Sequence, residues 1–593
     1  LSEDILHLYN AFREPLRFDQ DRHPIVRHNL STPGDNENVP LDSQGNLPGR
    51  KELDESEGSN NWVIAGERTR SGYPMLANDP HRTLATPSLR YLAHLIGPGW
   101  NVAGAGEPAI PGISIGHNEN GGWSLTVYRT DAEDLYVYET HPEDSKLYRY
   151  KGAWEAMESI QETIPVRGQE PVEAELWYTR HGPVVFRDEG RNLAYAVRCG
   201  WLEIGGAPYL ASLRMDQATT FDEFRRACNY SHIPGENMVW ADREGNIGWQ
   251  AVGIAPRRPN WSGLVPVPGD GTFEWNGYLE ILQLPHSSNP KSGLIITANE
   301  HVTPRDYPHL DALGYSWTDP FRGDRIAEML GGARRITLPD MMAAQTDYLS
   351  LPARTLVPLL SDLSAEDYLA ENARRLLLNW DYGIGKESVP AAIYVAWESQ
   401  LKQRLLEMLR IPEGNFNVSV QLKTVIDWIL VPDGRFGDQP LMGRDALLIH
   451  ALSAAVDELV AKLGSDMEKW QFGQESYKHV IFRHAFENGL SSSLADTLRV
   501  GPLPRGGYAY TVNNTGADQE DNQRSGATFR ILMDLENWDL TQAINAPGQS
   551  GDPRDRHYND LFPLWANDRY FPLFYSRAKI NSVAERTIVL QAD

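Results

Sequence analysis

ESEGSNNWVIA, residues 55–65, joins two stretches of opposite character. Upstream, residues 29–58 read NLSTPGDNENVPLDSQGNLPGRKELDESEG, nearly free of large apolar side chains and rich in Gly, Pro, Asn, Asp and Glu. Such a segment cannot offset its ordering entropy by burial, so 31–58 is expected to be an exposed linker. Downstream, Trp62-Val63-Ile64-Ala65 opens a strand. On its own Gly-Ser-Asn is ordinary loop composition, but its place at this junction gives it another meaning. Cutting the bond before Ser59 would leave a free α-amine beside the Ser59 hydroxyl. An α-amine titrates at about 7.7–8, near the working range of a general base, whereas a lysine at about 10.4 does not. Nucleophile and base would then share one residue. Gly58 suits the cut because, without a Cβ, it lets the hydroxyl approach the preceding carbonyl.

From residue 62 to about 300, short strands alternate with Gly/Pro/Asn turns: ISIG, WSLTVY, DLYVYET, KLYRY, AELWYTR, GPVVF and AYAVR. Between about 320 and 470 the pattern turns helical. Leu447, Leu448, Leu452, Val456, Leu459 and Val460 recur at helical spacing within 444–462, and Gly464 is the stop signal. Strands are expected again at 508–512 and 527–533. This order predicts an α+β fold with a helical insertion. Residues 1–30 begin with Ile5, Leu6, Leu8, Tyr9 and Phe12 on one helical face; with no start methionine or apolar leader, export is neither read nor excluded.

Composition removes several function classes. The chain has 593 residues, with 55 Lys and Arg against 80 Asp and Glu, a formal charge of −25. So acidic a surface repels phosphate backbones and anionic lipid, which argues against nucleic-acid and membrane partners. No apolar run approaches the roughly 18 residues that span a bilayer. The two cysteines, Cys199 and Cys228, are too few for a disulfide framework, and whether they pair stays open. GISIG at 112–116 imitates a nucleophile elbow around Ser114, but the HNENGGW that follows is a turn and not the required helix. The sixteen histidines show no zinc-ligand spacing.

The junction and a series of further motifs resemble the penicillin amidase (penicillin acylase) family of N-terminal-nucleophile hydrolases. GSNNW at 58–62, LANDPH ending at His81, PGISIGHNENGGWSLT at 111–126, ADREGNIGW at 241–249 and VPVPG at 265–269 carry it. So do TANE at 297–300, FRGDRI at 321–326 and NAPGQSGDP at 545–553, with HY at 557–558. The resemblance covers essentially all of 59–593 and implies a four-layer αββα sandwich of two antiparallel sheets. It implies Ser59 as nucleophile of self-cleavage after Gly58 and as acyl acceptor, with His81 supporting it. It makes the Val127 N–H and the Asn299 amide the oxyanion hole, and Arg325 the arginine near the catalytic amine. Arg82, Ile115 and Leu125 fall on substrate-pocket positions.

The same resemblance implies a structural Ca²⁺ held by Asp131, Asp134, the carbonyls of Glu133 and Gly263, and Asp311, an oxygen-only set suited to that ion. It further implies a periplasmic or secreted enzyme acting on a small N-acyl amide. Residues 1–30 would be the end of an α region whose remainder is a separate chain or lies outside this sequence. Arg82 departs from the bulky apolar residue common at its position: directed inward it would favour a polar or carboxylate-bearing acyl group, otherwise it is scaffold. A non-catalytic carbohydrate or peptide binder on the same scaffold is the competing expectation. A glycosidase built on Asp131 and Asp134 has no sequence context placing them across a sugar.

Overall fold

The computed structural model describes residues 58–203, 210–408, 420–518 and 521–591. The helix expected near 5–12, the α-region end at 1–30 and the linker up to residue 57 lie outside the described residues. The strand Gly58–Ile64 runs antiparallel between Met75–Thr83 and Leu294–Thr297. All seven of its residues are buried. Because side chains alternate along a strand, its two faces meet different partners. Val63 and Leu76 pack into the cluster that reaches the second sheet, with Met533 and Val239. Trp62, Ile64, Met75 and Ala77 instead pack on Ile326, Leu330 and Met341 of the helical region. Trp62 is fully buried, and its truncation to Ala would cost about 3–5 kcal/mol.

These strands belong to an 11-stranded sheet that also contains Gln523–Ala527, Phe529–Asp534 and Gln542–Asn545. A second, 7-stranded sheet has Gly121–Val127 beside Glu236–Asp242 at its centre. The two sheets lie so close that a Cβ on Gly122 would meet Met533 Sδ at 3.1 Å. Helices Ser212–Met215 and Phe221–Cys228 cover the second sheet, with the Phe224 ring 5.1 Å from that of Trp240. The other helical layer includes Phe321–Leu330, Leu338–Gln345, Val389–Met408 and Pro440–Leu463. Trp397 Nε1 donates to Leu448 O at 3.0 Å between the two longest of these, and Gly464, at φ +83°, ends the last. The layers thus run helix, sheet, sheet, helix, the expected α+β class.

Three details differ from the sequence reading or go beyond it. An 8-stranded sheet formed by residues 133–199, with Val267–Pro268 alongside, is additional to the two stacked sheets. Residues 508–512 form a turn and not a strand: Gly507 takes φ +90°, and Thr511 Oγ1 donates to the carbonyls of Tyr508 and Asn513. The apolar side chains there serve the helical core, where Tyr508 and Tyr510 are buried. Cys199 and Cys228 are both free thiols. Among the described residues, no helix is long and apolar enough to cross a membrane.

Candidate active site

Ser59, Asn60, Asn61, Asn78, Asp79 and His81 are all fully buried on two adjacent strands. So many polar groups removed from water carry a cost unless they are paired or used. Most are paired. Ser59 Oγ and the Asn61 amide are not: among the described residues neither has a hydrogen-bond partner. They lie on the same face of the strand, toward the second sheet.

Asn299 organises the backbone at Ser59. Its Oδ1 accepts from the Ser59 N–H at 2.7 Å, and its Nδ2 donates to Val127 O at 3.0 Å. It follows the strand Leu294–Thr297 and takes φ +73°, a left-handed conformation that asparagine tolerates better than most residues. Val127 ends the strand Gly121–Val127 opposite Glu236. Asn237 Nδ2 reaches Thr126 Oγ1 at 3.0 Å, and Thr126 bonds Thr297 at 2.8 Å, tying the two sheets together behind the site. Ser59, Val127 and Asn299, remote in sequence, therefore converge. Gly58 owes its identity to this crowding. A Cβ there would lie 2.3 Å from Asn299 Oδ1 and 3.2 Å from Arg322 Nη2.

The arginine at this site is Arg322, not Arg325. Arg322 Nη1 donates to Ser59 O at 2.9 Å and to Asn60 Oδ1 at 2.6 Å, while Nη2 donates to Asn299 Oδ1 at 3.0 Å. Arg325 lies one helical turn away and pairs with Asp347 at 2.9 Å and Glu328 at 3.1 Å. Residues 322, 326 and 330 form the buried stripe of their helix, and position 325 lies off it.

His81 supports Ser59 only indirectly. Gly58 is registered with His81 and Asn60 with Asp79, so the imidazole shares the face of Asn60 and Asp79 and the Ser59 hydroxyl lies on the other. His81 Nε2 meets Asp79 Oδ2 at 2.8 Å and lies 3.3 Å from Asn60 Nδ2. Burial, with Arg322 and Arg82 nearby, holds His81 well below its usual pKa. Burial pushes Asp79 up to about 8, against Arg530 and the hydrogen bonds from Gln345 and Asn60. The Asn60 amide also donates to Val512 O at 2.8 Å. This network fixes the strand that carries Ser59.

Arg82 is half-buried and points at the chain itself. Its Nη1 donates to Gly58 O at 2.9 Å and to His81 O at 2.8 Å. Leu125 lines a cavity of about 220 Å³, counting its open mouth, together with Ser114, Ala211, Ser212, Met215, Ser231 and Met238. Ile115 is fully buried in the core. Glu236, across from Val127, is buried, and among the described residues neither carboxyl oxygen has a hydrogen-bond partner. Burial pushes it up to about 7, with Arg82 and Arg90 pulling the other way. Ser114 is no nucleophile here: its hydroxyl donates to Glu107 Oε2 at 2.9 Å, and a turn and the next strand follow Ile115–His117.

The expected calcium ligands are arranged around a guanidinium. Arg258 Nε meets Asp134 Oδ2 at 2.7 Å, and its Nη2 donates to Asp131 O at 2.9 Å and lies 3.5 Å from Asp131 Oδ1. Trp275 Nε1 takes the same Asp134 oxygen at 2.5 Å. Gly263, at φ +79°, lies so close that a Cβ would meet Arg258 Cζ at 2.8 Å. Glu133 opens the next strand and Asp311 is exposed on the turn Leu310–Ala312. Among the described residues no three His, Cys, Asp or Glu side chains cluster as a metal site. With Arg258 in their midst these donors do not fit a cation.

Arg322, Asn60, Asp79, Glu236 and Arg258 are the residues that reading the sequence did not single out. The penicillin amidase family model matches residues 5–582. The acyl-homoserine lactone acylase QuiP of Pseudomonas aeruginosa is 28% identical over 569 residues, spanning 86% of this chain and 66% of that protein. The penicillin acylase 2 proenzyme of Pseudomonas sp. is 29% identical, spanning 89% and 68%. This chain thus covers about two thirds of these relatives' length. The thermostable penicillin G acylase from Alcaligenes faecalis superposes with a TM-score of 0.72 at 24% identity, covering 90% of this chain and 99% of that one, a likeness of fold. By fold, by motif order and by the extent of the family match, the chain belongs to the penicillin amidase family.

Proposed function

We propose that this protein is a self-processing amidohydrolase that cleaves an N-acyl amide through an acyl ester on Ser59. The observation that carries the reading is the bond from the Ser59 N–H to Asn299 Oδ1, made by an amide whose other end faces Val127. Once the Gly58–Ser59 bond is cut, that nitrogen is the catalytic amine, and Asn299 orients it toward its own hydroxyl. The amine removes the hydroxyl proton, Oγ attacks the substrate carbonyl, and the oxyanion is met by the Asn299 amide and the Val127 N–H. The proton then passes to the departing amine, and water hydrolyses the acyl ester. Arg322 holds Ser59 O and Asn299 together, and its positive charge disfavours an ammonium at Ser59.

Relatives named as penicillin and acyl-homoserine lactone acylases support an acyl amide substrate; the acyl group itself is left open. The rest of the α region and a periplasmic or extracellular setting belong to the same reading. Calcium does not, because Arg258 supplies the positive charge. Mass spectrometry of the purified protein tests it, with a panel of N-acyl amides assayed on the same sample. A new N-terminus at Ser59 with hydrolysis of at least one amide supports the proposal. An intact chain that binds carbohydrate or peptide without turnover replaces it with the binding-protein reading.

A further inference from the structure

The uncut Gly58–Ser59 peptide is held at its N–H and at its carbonyl oxygen, by different residues. Asn299 Oδ1 takes the N–H of the Gly58–Ser59 peptide at 2.7 Å. The carbonyl oxygen of that peptide, Gly58 O, is held by Arg82 Nη1 at 2.9 Å. The same nitrogen donates to His81 O at 2.8 Å, which holds the guanidinium against its own strand, Met75–Thr83. Meanwhile the Asn299 Nδ2 expected to stabilise an oxyanion is donating to Val127 O at 3.0 Å, not to Gly58 O.

We propose that Arg82 is the catalytic residue that stabilises the oxyanion of self-cleavage, in a role separate from the Val127–Asn299 hole used on external substrates. The inference rests on the self-processing reading above and adds which group carries the charge. In the first step Ser59 Oγ bonds to the Gly58 carbonyl carbon, and the oxygen held by Arg82 becomes an oxyanion. The carbon–nitrogen bond then breaks, and the hydroxyl proton ends on the departing Ser59 nitrogen. The result is an ester between Gly58 and Ser59 Oγ. One water hydrolyses it to the Gly58 carboxylate, the Ser59 hydroxyl and the free amine.

A guanidinium suits this step because a charge-assisted bond strengthens as its acceptor gains charge, which favours the transition state over the resting amide. It also explains an arginine at a position for which the family resemblance suggests a bulky apolar residue. The Gly58 carbonyl is a substrate that is always present in the precursor, so the acceptor that a half-buried guanidinium needs is supplied by the chain.

The test is the rate of precursor conversion, followed by gel and mass spectrometry on freshly folded chain, for wild type, Arg82→Met and Arg82→Gln. Thermal melting of the same variants in a Ser59→Ala background, which stays uncut, reports the structural cost separately. Arg82→Met is expected to convert about 10²–10³ times more slowly, the usual effect of losing an oxyanion donor. Added guanidinium at non-denaturing concentration should restore part of the rate, which a merely structural role would not predict. A folded Arg82→Met precursor converting within about tenfold of wild type overturns the proposal. Where Arg82→Met does not fold, Arg82→Gln decides by the same criterion. Wild-type precursor that never converts would instead overturn the self-processing reading itself.

Discussion

Asn299 Oδ1 and the backbone nitrogen of Ser59 lie 2.7 Å apart, 240 residues from each other along the chain. Under the proposed function, one side-chain amide would orient the catalytic amine through its oxygen and stabilise the oxyanion through its nitrogen. Asn299→Ala should lower kcat by about 10²–10³ while KM changes far less. Steady-state kinetics on mature enzyme checks this; an unchanged kcat with a raised KM would make Asn299 a binding residue instead.

Gly58→Ala places a methyl 2.3 Å from Asn299 Oδ1. That oxygen is also fixed by Arg322, so the clash is not relieved cheaply. Precursor should accumulate, visible as uncut chain by mass spectrometry. Any mature enzyme that does form should match wild type in kcat, since residue 58 is by then no longer joined to Ser59. Wild-type conversion of Gly58→Ala would show that the crowding is readily relaxed.

Arg322 and Arg325 offer a matched pair. Arg322→Met removes charged donors from Ser59 O and Asn299 Oδ1 and should reduce kcat/KM about 10- to 100-fold, the equivalent of a charged hydrogen bond worth 1.5–3 kcal/mol. Arg325→Met breaks the Asp347 pair and should lower the melting temperature while leaving kcat in place. The opposite outcome would return the catalytic arginine to position 325.

Chelators should leave the melting temperature of the wild-type protein unchanged, because Arg258 occupies the acidic turn. Arg258→Met leaves Asp131 and Asp134 without their guanidinium and should destabilise by about 3–5 kcal/mol, the usual cost of breaking a buried pair. Added calcium should recover part of that loss in the variant only. A chelator-sensitive wild type would show that metal competes successfully with Arg258.

Glu236 gives a pH signature. Its folded pKa, about 7, lies above the ordinary 4.5, so the folded state holds a proton that the unfolded state releases between those values. Its contribution is fully present below about pH 4.5 and is lost as pH rises through about 7. Glu236→Gln should therefore gain on wild type across that window by up to about 1.4 kcal/mol per pH unit, then run parallel. Melting curves at stepped pH check it, and parallel curves throughout would show that Glu236 is already ionised when buried.

The class of fold and the buried strand that opens at the Ser59 junction were legible as local patterns, whereas Val127 and Asn299, 172 residues apart, were paired only through the family resemblance of the motifs that carry them. A polar run entering a buried strand is visible in the residues themselves. What escaped depends on direction and on distance in sequence. Arg322 and Arg325 both belong to FRGDRI, and only the buried stripe through Ile326 and Leu330 tells which one faces inward; that stripe was available in the sequence. His81 is registered with Gly58, one residue from Ser59, yet strand alternation turns its ring to the opposite face. Asp131 and Asp134 look the same whether a metal or a guanidinium lies between them, and Arg258 is more than a hundred residues away. Tyr508–Val512 has the composition of a strand, but Gly507 and the Thr511 hydroxyl close it into a turn.

Arg258 also changes what the acidic turn asks of its surroundings. A bound ion has a dissociation constant, an exchange rate and an occupancy that follows the medium. A guanidinium tethered through the backbone has none of these: its stoichiometry is one per chain from the moment of synthesis, and its local concentration is fixed by connectivity. Where the chelator prediction above holds, the fold at Asp131–Asp134 would be completed without drawing on the ionic composition of the compartment.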